Sequence, residues 1–243
     1  MGISENVAKV KADIAKAAEA AGRQPEDVLL VAATKMNDCA AVREAIAAGV
    51  DICGENRVQE LIEKNAQHAY DGVPLHFIGH LQKNKVKNVV GTVQLIQSVD
   101  SVSLLGAIDK CASARGIVQD VLLEVNIGRE ASKSGFLEEE IPAALAAAAA
   151  FSCVRVRGLM AIPPICAFPQ KNSVFFQTMK QLFIDNGEKR YDNVSMDFLS
   201  MGMSGDYTEA VACGANMVRV GSAIFGPRVY PEKNTALSLE AKP

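Results

Sequence analysis

Lys35 ends the run Val28-Leu29-Leu30-Val31-Ala32-Ala33-Thr34-Lys35, and Asn37 and Asp38 follow almost at once. An unbroken apolar run of this kind reads as a strand buried on both faces, as in a parallel sheet. Parallel-sheet proteins bind their ligands at the carboxyl ends of the strands. An amine delivered there is partly desolvated, its pKa can fall, and the neutral form can condense with an aldehyde. The alternative is a strand-end lysine whose stem crosses apolar surface to reach water. Strand alternation puts Leu29, Val31, Ala33 and Lys35 on one face, and the small Ala33 leaves space beside the amine.

Three further strand ends are unusual. Cys53-Gly54-Glu55-Asn56-Arg57 is too polar for a simple tight turn. Glu55 or Asn56 could cap the next helix; if the loop faces a site, Asn56 is the better placed to touch a ligand. The segments 200–206 and 217–226 are rich in small residues and open onto short helices. Their backbone N–H groups suit a phosphate cradle, and loops after the seventh and eighth strands of a barrel often hold one. Arg219 lies inside an apolar strand, where its charge must be paired or hydrogen-bonded. An ion pair with a strand carboxylate such as Glu124 would satisfy it, and so would a polar ligand. His76 and His80 flank a strand end, where a spacing of four does not converge on a metal. No Gly-x-Ser-x-Gly or paired-carboxylate pattern occurs.

These residues need a scaffold that presents many strand ends to one place. Helix-like and strand-like segments alternate along the chain. A helix over 4–21 comes first. Strands are expected at 27–34, 50–53, 75–79, 93–98, 118–125, 154–160, 198–201 and 217–220. Helices are expected at 38–48, 57–70, 82–90, 101–115, 138–150, 170–186 and 206–212. Eight βα units in 243 residues predict an α/β fold of the single (β/α)8 TIM type with an extra N-terminal helix. The runner-up, an open doubly wound sheet, lacks a Gly-x-Gly-x-x-Gly after its first strand. The whole of 1–243 reads as one domain, with 231–243 as a flexible tail.

Composition bounds the function. Apolar residues make up 49% and charged residues 22%, and the net charge of −3 argues against a nucleic-acid binder. The six cysteines form no Cys-x-x-Cys pair and read as thiols of a reducing compartment. With no signal peptide and no apolar run long enough for a membrane, the expected location is the cytoplasm.

An amine after strand one, a phosphate cradle after strands seven and eight and a buried arginine between them suggest pyridoxal 5′-phosphate (PLP), which has an aldehyde, a phosphate and a ring nitrogen. The chain also resembles the pyridoxal phosphate homeostasis proteins, stand-alone relatives of the alanine racemase N-terminal barrel. The resemblance rests on Ala33-Thr34-Lys35, Gly54-Glu55-Asn56-Arg57-Val58-Gln59-Glu60 and the segment from His76 to Lys85. It continues through Ser132-Lys133-Ser134-Gly135, the segments 158–163 and 199–204, and the run from Val218 to Gly226. It implies that Lys35 forms a Schiff base with PLP. It further implies that Ser204 and the backbone of Gly221 and Ser222 hold the phosphate, that Asn56 lies beside the cofactor, and that Arg219 faces the pyridine nitrogen. The segment 166–173 matches the family poorly, and no function is carried onto it.

An arginine at the ring nitrogen disfavours its protonation and makes the cofactor a weaker electron sink. Racemisation also needs an acid/base on each face of the substrate carbon. Alanine racemases take the second, a tyrosine, from a C-terminal β-domain of the partner subunit. This chain has no room for such a domain, and nothing assigns that role to Tyr207 or Tyr230. The expected function is a non-enzymatic, monomeric PLP carrier that buffers the cofactor or passes it to apo-enzymes. The alternatives are a low-activity PLP-dependent amino-acid racemase and a cofactor-free barrel enzyme for a phosphorylated metabolite.

Overall fold

The computed structural model describes residues 2–164, 172–188 and 191–227. Tyr230, the expected tail 231–243 and most of the segment 166–173 lie outside these residues. Eight parallel strands close into a barrel in the order β1 to β8. They are β1 (Leu29–Ala33), β2 (Ile52–Glu55), β3 (Leu75–Phe77), β4 (Leu95–Val99), β5 (Gln119–Val125), β6 (Val154–Ala161), β7 (Val194–Ser200) and β8 (Met217–Val220). Helix α1 (Ile3–Ala20) precedes them. Then come α2 (Cys39–Ala47), α3 (Val58–Ala66), α4 (Val102–Ser113), α5 (Ile141–Ala148), α6 (Ser173–Gly187), α7 (Tyr207–Ala212) and the single turn α8 (Ser222–Phe225).

The alternation of each strand divides the core in two. Val31, Ile52, Leu95, Leu122, Met160 and Met217 form one cluster inside the barrel, with Leu29, Ile162 and Phe198 against it. The intervening residues, among them Leu30, Phe77, Ile96, Leu123 and Val218, join the helices in a second, larger cluster. Local signals set the helix starts. The Asp38 carboxylate accepts from the Ala41 N–H at 2.8 Å, and the Ser101 hydroxyl accepts from the Leu104 N–H at 3.3 Å. At the end of the barrel remote from the strand carboxyl ends, Asp120 pairs with Arg155 at 2.7 Å and with Arg157 at 2.7 Å, and Arg157 also pairs with Asp197.

Three expectations shift. The connection expected as a helix over 82–90 is a 3-10 helix, Lys83–Asn88. The Arg115 guanidinium takes the carbonyls of Lys87 and Val90, so no further α-turn is needed to satisfy them. Strand β7 begins at Val194 rather than 198, because Ser195 and Asp197, polar enough to read as loop, serve the ion cluster at the barrel's lower end. Strand β2 runs two residues later than expected, which takes Glu55 out of the loop and into the sheet. Among the described residues no helix is long and apolar enough to cross a membrane.

Candidate functional site

The carboxyl ends of the strands surround a cavity of about 470 Å³. Lys35, Asn56, Ser204, Arg219, Gly221 and Ser222 all line it, together with Ala33, Ile78, Ile162 and Phe225. Val31 and Leu29 belong to the barrel interior and Ala33 and Lys35 to the cavity, so the face expected of β1 points inward.

The backbone around Lys35 is held on both sides by one charged network. Glu55 ends β2 with no solvent exposure. Its Oε1 accepts from Thr34 Oγ1 at 2.7 Å, Lys64 Nζ at 2.6 Å and Tyr70 Oη at 3.0 Å. The same Lys64 ammonium donates to the Thr34 carbonyl at 2.8 Å and to Glu60 Oε2 at 3.1 Å. Glu60 Oε2 in turn accepts from the Met36 N–H at 2.7 Å. Met36 has φ of 62°, a left-handed conformation that a non-glycine residue keeps only when its surroundings hold it there. Lys35 therefore sits between two anchored peptide groups. Neither Glu55 nor Asn56 caps α3, whose N-cap is Arg57 with no side-chain cap. The sequence carries no local mark of this network, since Lys64 on a helix reads as a solvated lysine.

Across the cavity, Ser204 Oγ accepts from the Gly221 N–H at 3.1 Å and the Ala223 N–H at 3.3 Å. A hydroxyl that accepts twice keeps its own proton for an acceptor such as a phosphate oxygen. The turn that delivers Ser204 depends on Gly202, whose φ is +90° and where a Cβ would come within 2.5 Å of Ala210 Cβ. Asn56 Oδ1 is buried with no hydrogen-bond partner. Buried polar atoms are rarely left so, and one beside a cavity marks a place where a ligand donor fits.

Arg219 is buried, and its hydrogen bonds go to neutral oxygens: Nη1 to Ser200 Oγ at 2.5 Å and Nη2 to the Ala161 carbonyl at 2.9 Å. Burial lowers its pKa to about 10, against the opposing charges of Glu124 and Asp206, so it stays a cation at neutral pH. Glu124 thus acts on Arg219 through its field, while Ser200 and Ala161 take the hydrogen bonds. Burial, and then the like charge of Asp100, push the Glu124 carboxyl up to about 7 against Arg219 and Lys133. Between its ordinary value of 4.5 and about 7, the folded chain holds a proton that the unfolded chain has released, so this group's contribution to stability falls as pH rises and levels off above that window. Melting temperatures of the wild type and Glu124→Gln are expected to separate across this range, with the variant gaining relative to the wild type towards high pH. Curves that stay parallel would refute the assignment.

The two histidines diverge. His76 is buried inside the barrel, its Nδ1 2.9 Å from Gln97 Nε2, whereas the side chain of His80 is 57% exposed and lies 3.3 Å from Asp100. Tyr207 turns from the cavity and donates to Asp13 of α1 at 2.8 Å.

The family profile described as "Alanine racemase, N-terminal domain" matches residues 6–229. A pyridoxal phosphate homeostasis protein of Pseudomonas aeruginosa is 41% identical over 228 residues, which cover 94% of this chain and 96% of that one. The structure of PipY from Synechococcus elongatus with PLP bound superposes with a TM-score of 0.79 at 32% identity, covering 92% of this chain and all of that one. An alanine racemase of Clostridium difficile shares the fold at 15% identity, with a TM-score of 0.69 over 94% of this chain and 58% of its own length. A match that runs nearly end to end with its relatives, on a barrel of the same architecture, makes this chain a member of the pyridoxal phosphate homeostasis protein family.

Proposed function

We propose that this protein holds pyridoxal 5′-phosphate at the mouth of its barrel as a Schiff base on Lys35, and serves intracellular PLP homeostasis by buffering the reactive aldehyde or delivering it to apo-enzymes. The observation that carries this reading is the cavity itself. One concave site gathers an amine, a hydroxyl-and-backbone cradle, an amide oxygen without a partner and a guanidinium. These match the aldehyde, phosphate, ring substituents and ring nitrogen of PLP in kind and number.

When bound, PLP supplies an aldehyde for an amine and a ring that can withdraw electrons. The chain's own groups decide how far that chemistry goes. Lys35 offers the amine from a backbone pinned at Thr34 and Met36. Ser204, with the backbone of Gly221 and Ser222, takes the phosphate. Asn56 would lie beside the cofactor. Arg219 has only donors and keeps its charge, so it would disfavour a proton on a ring nitrogen bound against it. Among the described residues lining the cavity, Lys35 and Arg219 are the only titratable groups. That supports a carrier over a racemase, because an arginine is a poor acid/base near neutrality. A monomer in the cytoplasm that gives up PLP to client apo-enzymes completes the reading.

Incubation with PLP, borohydride reduction and peptide mapping test the proposal. The expected result is one pyridoxyl group per chain on Lys35, with none in Lys35→Ala at that position. A chain that stays colourless and unmodified at Lys35 would overturn it. Lys35-dependent exchange of the α-proton of L-alanine at a catalytic rate would overturn the carrier part alone.

A further inference from the structure

Beneath the cavity, four side chains from four strands form a single file across the barrel. Arg219 Nη1 is 2.5 Å from Ser200 Oγ, Ser200 Oγ is 2.7 Å from Gln97 Oε1, and Gln97 Nε2 is 2.9 Å from His76 Nδ1. All four are buried. The direction of every link follows from its first member. A guanidinium can only donate, so Ser200 accepts from Arg219 and gives its own proton to the Gln97 carbonyl oxygen. That fixes the amide with its nitrogen towards His76, whose Nδ1 must accept. His76 can do so because burial lowers its pKa to about 4, leaving the ring neutral. Bonds polarised in one direction reinforce one another. Arg219 Nη2 is held separately by the Ala161 carbonyl at 2.9 Å. Two fixed nitrogens set the plane of a rigid guanidinium. Gln97, Ser200 and His76 are not among the residues that line the cavity; Arg219 is.

We propose that Ser200 and Gln97 are positioning residues, which fix the Arg219 guanidinium in the orientation that meets the ring nitrogen of bound PLP. This rests on the PLP-binding reading above. The opposing view is that Ser200 and Gln97 only satisfy a buried cation and leave the ligand indifferent.

Ser200→Ala removes the middle link, Ser200→Thr keeps the hydroxyl, and Gln97→Met cuts the file one link further with a side chain of similar length. Each protein is titrated with PLP, its absorption spectrum recorded, and the Lys35 adduct counted after borohydride reduction. The expected result is full modification of Lys35 in all four proteins. In Ser200→Ala and Gln97→Met, the visible band of bound PLP is displaced and the dissociation constant rises roughly ten-fold; in Ser200→Thr both return towards the wild-type values. A spectrum and affinity in Ser200→Ala and Gln97→Met equal to the wild type would overturn the proposal. So would losses that follow the melting temperature with no displacement of the band. Failure of the PLP reading looks different, since the wild type itself would then carry nothing on Lys35, and the inference would fall with it. If Ser200→Ala does not fold, Gln97→Met decides by the same spectrum.

Discussion

Lys64→Met is expected to lower the free energy of unfolding by about 3–5 kcal/mol, because it strands a buried carboxylate. Glu55 has no exposure, and the Lys64 ammonium 2.6 Å away is the charge that offsets its burial. A thioether cannot replace it, and Thr34 Oγ1 and Tyr70 Oη are neutral donors. The same change leaves the Thr34 carbonyl with only its bonds from Asn37 and takes one of the charges that hold Glu60, so the peptide groups on either side of Lys35 are held less firmly. Urea unfolding would measure the first effect and PLP titration the second. Replacing the pair together, as Glu55→Leu with Lys64→Met, should recover part of the stability by removing the stranded charge, with a cost of about 1–3 kcal/mol remaining because the buried Tyr70 hydroxyl loses its acceptor. PLP loading should stay impaired in the double variant, because the Lys64 anchor on the Thr34 carbonyl is still missing. A Lys64→Met protein as stable as the wild type would show that the pair contributes no net charge compensation.

Gly79→Ala should damage the site from a position that does not line it. A Cβ there would lie 2.1 Å from the Asn56 carbonyl oxygen and 2.7 Å from its Cα and carbonyl carbon, so backbone must move. The Gly79 carbonyl also accepts from Ser98 Oγ at 2.5 Å, which limits how far its own loop can retreat. The strain falls on Asn56, whose amide belongs to the cavity wall. The expected cost is about 1–3 kcal/mol in stability, with a weaker affinity for PLP as Asn56 is displaced from the cavity wall. Gly106→Ala is the control. It lies within α4, where a Cβ meets only the Phe151 ring at 3.5 Å, and the gain in helix propensity makes it neutral or stabilising. Thermal melts and PLP titrations of both variants check the pair. Equal behaviour of Gly79→Ala and Gly106→Ala would refute the close-approach argument.

The same residues show what could be read in advance. Strand β8 was legible to the residue, because Met217–Val220 is bounded by Asn216 and Gly221. Lys35 was legible as a strand-end amine, and Ser204, Gly221 and Ser222 as members of small-residue loops. Their meeting in one cavity followed from eight βα units, because a closed parallel barrel brings all its strand ends to one rim. Glu55 lies in β2, two residues past the point where the sequence pattern ends that strand. A buried glutamate at a strand end looks like loop until its partners are known, and those partners, Thr34, Lys64 and Tyr70, come from the residue after a neighbouring strand, a helix and the turn after that helix.

Chain-local patterns therefore determined the kinds of residue at each strand end, the alternation that turns Lys35 inward, and the number of units that must close. Those patterns act over a few residues and survive without any tertiary partner. Closure of the barrel decided the rest. It chose neutral oxygens rather than Glu124 as the hydrogen-bond partners of Arg219, set Lys64 beneath Lys35, and lined up His76, Gln97, Ser200 and Arg219 from four separate strands. The physical reason is that burying a charge or a polar group obliges the fold to find it partners wherever the chain happens to pass. Which segments pass there is a property of the closed barrel and of no shorter stretch of sequence.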